Sequence, residues 1–114
     1  EDLPEESFEV QKIDLNQVDP PITDKDLEGL PASESLVYFG LHSAKVTDKG
    51  LEPLLKLSGL KELELSYTEV GDNGLDQLAA MKTLTKLYLY GTSVSDDAVE
   101  QFKKKRTDCT VYRD

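Results

Sequence analysis

LKELELSYTEVGDNGLDQL, residues 60–78, places Leu60, Leu63 and Leu65 in the spacing L-x-x-L-x-L and follows them with Val70, Leu75 and Leu78. Twenty-four residues earlier the same places hold Leu36, Phe39, Leu41, Val46, Leu51 and Leu54. Twenty-four residues later they hold Leu84, Leu87, Leu89, Val94, Val99 and Phe102. A seventh column contains Leu57 and Met81 and fails only at Lys105. A helical bundle or an ordinary α/β domain needs no such register. A stack of like units does, because each hands its apolar face to the next.

Within a unit the pattern reads as strand, turn and helix. LVYFGL (36–41), LKELEL (60–65) and LTKLYL (84–89) end in a period-two alternation, as one buried strand face requires. Leu51, Leu54 and Leu57, then Leu75, Leu78 and Met81, recur at helical spacing. TDKG, GDNG and SDDA separate the two halves, so Thr47 and Ser95 are expected N-caps, with Gly71 a weaker one. Asp48, Asp72 and Asp96 bring negative charge to the first helical turn.

Counting back 24 residues from the first full unit gives a degenerate copy over 8–35. Leu15 then falls in the Phe39 column and Ile22, Leu27 and Leu30 in the Val46, Leu51 and Leu54 columns, while Lys12 and Gln17 break the pattern. A terminal unit with one polar side is what a capped stack needs. The expected organisation is one domain: an acidic leader and cap unit (1–35, the leader being EDLPEES), full units at 36–59, 60–83 and 84–107, and a closing strand at 108–114. Arg113 and Asp114 charge the last edge and discourage further stacking.

The chain has 114 residues and a formal charge of −10. Nucleic-acid phosphates and anionic membranes are repelled by such a surface. No stretch approaches the ~18 apolar residues of a membrane span, so neither nucleic-acid binding nor membrane insertion is expected. The acidity either keeps a monomeric repeat protein soluble or attracts a basic partner. Lys103, Lys104, Lys105 and Arg106 close a helix and complement its negative end. Cys109 is the one cysteine, which excludes an internal disulfide. The chain starts at Glu1 rather than Met, and the expectation taken from that is a processed or excised piece of something longer, with a lean toward an exported protein. Its compartment stays open.

Through L-x-x-L-x-L-x-x-T-x-V-[TGS]-D-x-G-L-x-x-L, most fully at 60–78, the chain resembles leucine-rich repeat proteins. It is most similar to the bacterial group with 24-residue repeats and a T-x-V-T-D-x-G-L core. It also resembles the repeats of F-box substrate receptors, which use cysteine where this chain has Thr68 and Thr92. Ala44 departs from that pattern and forgoes a side-chain hydrogen bond to the turn. The resemblance covers about residues 12–112. It implies an α/β fold, a short right-handed solenoid with a parallel sheet on the concave face and helices on the convex face. It implies binding scaffolds of many kinds and no one partner.

If Phe39 and Leu41 point inward, alternation turns Tyr38, Gly40 and His42 outward. Glu62, Glu64 and Ser66 follow in the next unit, then Lys86, Tyr88 and Tyr90, with Thr110 and Tyr112 on the closing strand and Asp14 and Asn16 on the first. Five strands ~4.8 Å apart make a face about 20 Å wide, enough for a short peptide or a loop. Four of the five tyrosines, 38, 88, 90 and 112, lie on it. Tyrosine suits recognition surfaces, and it also suits exposed strands through β-propensity and cross-strand packing. Gly40 leaves a gap that could admit a partner side chain.

Catalytic chemistry is not legible. His42 has no second histidine or cysteine with which to share a metal. Glu62 and Glu64 stand about 7 Å apart on an open face, without the cleft that separates the pKa values of an acid–base pair. Asp72-Asn73-Gly74 and Ser95-Asp96-Asp97 lack the length of a calcium loop. No cofactor, metal or enzymatic activity is expected. Two readings remain: a module binding an unidentified protein or peptide through Tyr38, His42, Glu62, Glu64, Ser66, Lys86, Tyr88, Tyr90 and Tyr112, or a structural spacer of a larger protein without a ligand of its own.

Overall fold

The computed structural model describes residues 11–114. The acidic leader 1–7 lies outside the described residues. Five short strands, β1 (Lys12–Asp14), β2 (Tyr38–Gly40), β3 (Glu62–Glu64), β4 (Lys86–Tyr88) and β5 (Thr110–Tyr112), form one parallel sheet in chain order. Between them run α1 (Asp24–Leu27), a 3-10 helix (Asp48–Lys56), α2 (Asp72–Leu78) and α3 (Asp96–Lys105). Phe39, Leu63, Leu87 and Val111 pair in successive registers 24 residues apart. Phe39, Leu63 and Leu87 are fully buried, as are Leu41 and Leu65 and the helix residues Leu51, Leu54 and Leu78. Each row of like residues packs on the next, so the core is a continuous ladder between sheet and helices.

The first strand corrects the 24-residue count. Ile13, not Leu15, pairs with Phe39, an offset of 26. Further along, Thr23 bridges Lys45 as Thr47 bridges Glu69, so the later part of the unit is back in phase. The two extra residues are taken up between Leu15 and Ile22, around Pro20-Pro21. Lys12 and Gln17 are therefore not failures in apolar columns: Ile13 and Leu15 are the ones packed against the core.

The first full unit also departs from the expected α-helix. Pro53 has no N–H to donate, and its ring crowds the carbonyl four residues earlier. The segment winds as a 3-10 helix instead, capped by Thr47, whose side chain accepts from Lys49 N–H. The matching residue in α2 is Gln77, which is compatible with a helix and donates from Nε2 to the Asp48 carbonyl at 3.2 Å. Ser95 caps α3 through Ala98 N–H, while Gly71 gives α2 no side-chain cap.

The turns that follow the strands share one conformation. Gln17, Ser43, Tyr67 and Gly91 have φ of 57°, 66°, 60° and 67°. This left-handed backbone costs a non-glycine residue about 1 kcal/mol, yet three of the four are not glycine. What holds them is a hydrogen bond to the next unit: Gln17 N–H to His42 O, Ser43 N–H to Ser66 O and Tyr67 N–H to Tyr90 O. Thr68 and Thr92 tighten the same turn through Oγ1 to Leu65 O and Leu89 O, at 2.7 and 2.8 Å. Ala44 has no counterpart to that bond.

On the helix side the aspartates do more than charge a first turn. Asp24 accepts from Thr47 N–H and Oγ1 at 2.8 and 2.6 Å. Asp48 accepts from Gly71 N–H at 2.7 Å. Asp72 accepts from Ser95 N–H and Oγ at 2.7 and 2.8 Å. Each carboxylate thus fixes the helix start of the following unit. Asp96, the last in the column, takes Arg113 at 2.6 Å instead. Gly50 and Gly74 leave the space these carboxylates occupy: a Cβ there would sit 2.3 Å from Asp24 Oδ1 or 2.5 Å from Asp48 Oδ1.

Arg106 corrects the reading of the basic cluster. It is 4% exposed and its guanidinium reaches back to the preceding unit, donating to the carbonyls of Met81, Lys82 and Leu84. Asp108 holds its other edge at 3.2 Å. Lys105, where the apolar column fails, stays exposed and pairs with Asp76 at 2.8 Å.

Candidate functional site

Alternation along the strands sorts the sheet residues onto two faces. Leu63 and Leu87 face the core, while their strand neighbours form two rows on the outer face. The first row is Lys12, Tyr38, Glu62, Lys86 and Thr110. The second is Asp14, Gly40, Glu64, Tyr88 and Tyr112. Asn16, His42, Ser66 and Tyr90 follow where the chain leaves the sheet. Asp14 therefore lies opposite Gly40, not Tyr38, because of the 26-residue offset.

The rows are electrostatically and aromatically coupled. Lys86 Nζ lies 3.7 Å from Glu62 Oε1. Tyr88 and Tyr112 stack with ring centroids 4.6 Å apart and planes 11° from parallel. Burial first, then the negative charge of Glu62, pushes the Tyr88 phenol above its ordinary value, against the pull of the Lys86 ammonium. Tyr112 and Glu64 add to the upward push. His42 and Tyr67 approach to 5.1 Å between centroids, in a tilted arrangement. Ser43 Oγ lies 2.9 Å from His42 Nδ1.

Of the expected contact residues, Lys86 and Tyr90 are exposed and Tyr38, His42, Glu62, Glu64, Tyr88 and Tyr112 are half-buried. Ser66 is a correction: it is 1% exposed, its N–H donates to Glu64 Oε1, and its hydroxyl accepts from Tyr90 N–H at 3.1 Å. It positions the face without presenting itself. Gly40 is the second correction. Its gap is filled by the Asn16 side chain, within 2.7 Å of where a Cβ would stand. The Asn16 amide donates to the Tyr38 hydroxyl at 2.9 Å and accepts from His42 N–H at 2.8 Å. Asn16 and Ser66 thus do the same work two units apart, each covering a backbone N–H of the next unit.

Two residues outside the expected set belong to this face. Tyr67 is 59% exposed and its ring lies over Gly91, where a Cβ would come within 2.5 Å of it. The signal in the sequence is the pairing of Tyr67 with a glycine one period later. Lys12 adds a cation at the row end, legible only once the 26-residue offset is known. A depression of about 270 Å³ opens elsewhere, at the first-unit edge, lined by Ile13, Leu30, Leu36 and Leu57 among others. Its lining has no charged side chain to select a ligand. Among the described residues no group of three or more His, Cys, Asp or Glu could hold a metal ion. No helix among them is long and apolar enough to cross a membrane.

No protein-family model and no curated protein matches this chain. Among solved structures it is similar to that of leiomodin-1 actin-binding site 2, with a TM-score of 0.69 and 17% identity over 91% of this chain and 70% of that one. At that identity the likeness is one of fold: a parallel sheet with helices, consistent with the leucine-rich-repeat-like fold of that neighbour.

Proposed function

We propose that the chain is a short leucine-rich-repeat solenoid that serves as a non-enzymatic protein-binding module, its partner seated on the outer, concave sheet face. One observation carries this: the aspartate side of each unit spends its polar groups on the neighbouring unit, while the sheet face leaves a stacked Tyr88–Tyr112 pair beside Glu62, Glu64 and Lys86 open to solvent. Aromatic area with charge at its border is the composition of recognition surfaces. The fold neighbour, by its name an actin-binding segment, supports a protein as the kind of partner. It does not make that partner actin. A face about 20 Å wide suits a peptide or loop better than a large flat interface.

The test is affinity capture from the native extract with the intact chain and with its Tyr88/Tyr90 double alanine variant, both checked for folding by circular dichroism. A protein retained by the first and lost by the second supports the reading. Equal retention moves the site to the loops or the helix side.

A further inference from the structure

Among the described residues two carboxylates of the sheet face, Asp14 and Glu64, have no cation of their own; Asp14 accepts the Asn16 N–H at 3.0 Å and lies beside Gly40, while Glu64 alone has an aromatic strand neighbour. Glu62 has Lys86 at 3.7 Å. Among the described residues Glu64, two residues on, accepts only the Ser66 N–H, at 2.8 Å on Oε1. No Lys, Arg or His of the described residues lies within salt-bridge distance of it. Its lateral neighbours are Gly40 on one strand and Tyr88 on the other. Tyr112 stacks on the Tyr88 ring from the far strand, and Glu64 is the register partner of Tyr88 on the other side. The Asn16 amide lies over Gly40 and supplies a neutral polar floor. Carboxylate, aromatic face and glycine thus stand in adjacent strands about 4.8 Å apart.

A planar cation fits this arrangement. A guanidinium hydrogen-bonds a carboxylate in its plane and stacks its flat side on an aromatic ring at the same time. The lysine ammonium has no flat side to stack. The chain's net charge of −10 draws a basic segment toward it. We infer that the Glu64–Tyr88 pair is the specificity position of the binding face and takes an arginine side chain from an extended, basic segment of the partner protein. The inference rests on the protein-binding reading of the same face. The guanidinium stacks on Tyr88 and donates to Glu64, and the partner backbone runs across the strands between the tyrosines.

The experiment is an NMR titration of the ¹⁵N-labelled chain with two capped Gly/Ser peptides, one with a central arginine and one with citrulline, its neutral isostere. Shifts centred on Glu64 and Tyr88 with the arginine peptide alone are expected. Glu64→Gln should weaken binding about ten-fold, and about 0.5 M salt should weaken it several-fold. Equal shifts with citrulline, shifts centred elsewhere, or none at millimolar peptide overturn the inference. Should Glu64→Gln not fold, Tyr88→Leu takes its place with the same expectation. The captured partner separates the two readings. If the Tyr88/Tyr90 double alanine loses it and Glu64→Gln keeps it, the binding face stands and the arginine position falls. If both keep it, the binding face itself falls.

Discussion

The two polar sides of this molecule are built by the same 24-residue translation and put to opposite use. On the helix side Asp24, Asp48 and Asp72 each reach the helix start of the next unit, and Asp96 is taken by Arg113. On the sheet side Tyr38, Glu62, Glu64, Lys86 and Tyr88 vary from unit to unit, and much of their polar surface meets water. A carboxylate that holds a backbone N–H of its neighbour must recur if the stack is to continue. A side chain above the sheet is free to differ, because the backbone ladder beneath it is already complete. Repetition marks what carries the stack, and variation marks what is available to a partner.

The contrast can be broken most forcefully at Arg106. Arg106→Ala removes the guanidinium from the carbonyls of Met81, Lys82 and Leu84, of which Met81 keeps the Leu84 N–H, and should cost about 3 kcal/mol in urea unfolding. A loss below about 1 kcal/mol would show that water replaces the guanidinium. Asp24→Ala removes the acceptor of Thr47 N–H and Oγ1 and should cost about 1.5 kcal/mol by the same measurement. No loss there would erase the difference between the two sides.

Alkaline unfolding gives a smaller effect. Burial raises the Tyr88 phenol from its ordinary 10.0 and the Cys109 thiol from its ordinary 9.0. A group whose pKa is higher in the folded than in the unfolded chain contributes stability that is complete below its unfolded value and disappears as pH rises through its folded one. Stability should therefore hold to about pH 9 and decline above it. Tyr88→Phe should make the decline shallower, read as the urea midpoint between about pH 8 and 11.

Ala44→Thr supplies the hydroxyl that Thr68 and Thr92 use in the other turns, and should raise stability by about 0.5 kcal/mol. At the far end of the scale, Glu64→Gln and Tyr90→Ala should leave the unfolding free energy almost unchanged, within about 0.5 kcal/mol in urea unfolding, whatever they do to binding. A large shift in either would move that residue from the partner-facing set to the stack.

How far these features could be read from residues alone depended on whether they repeat. The columns around Leu63 and Leu87 and the outward place of Tyr88 follow from period and alternation. Thr47 and Ser95 as caps follow from local backbone chemistry. The phase of the first strand did not follow, because a period cannot report two extra residues inserted between Leu15 and Ile22. Pro20-Pro21 is the visible sign of that insertion, as Pro53 is of the 3-10 helix. Alternation places Ser66 and Asn16 outward, and Ser66 therefore reads as a contact residue. Only the hydrogen bonds to Tyr90 N–H and His42 N–H show them spent on the backbone.

Sequence alone thus determined the parallel stacking of like residues and the side of the sheet that stays wet, since burial of apolar columns admits one face and alternation assigns the other. Tertiary structure alone decided which polar groups remain available. The Asp24–Thr47 bond, the Arg106 guanidinium on three carbonyls, and the placing of Glu64 beside Tyr88 each join residues 22 to 25 positions apart. The energy of a hydrogen bond or an ion pair depends on distance and direction in space, and position along the chain prescribes neither.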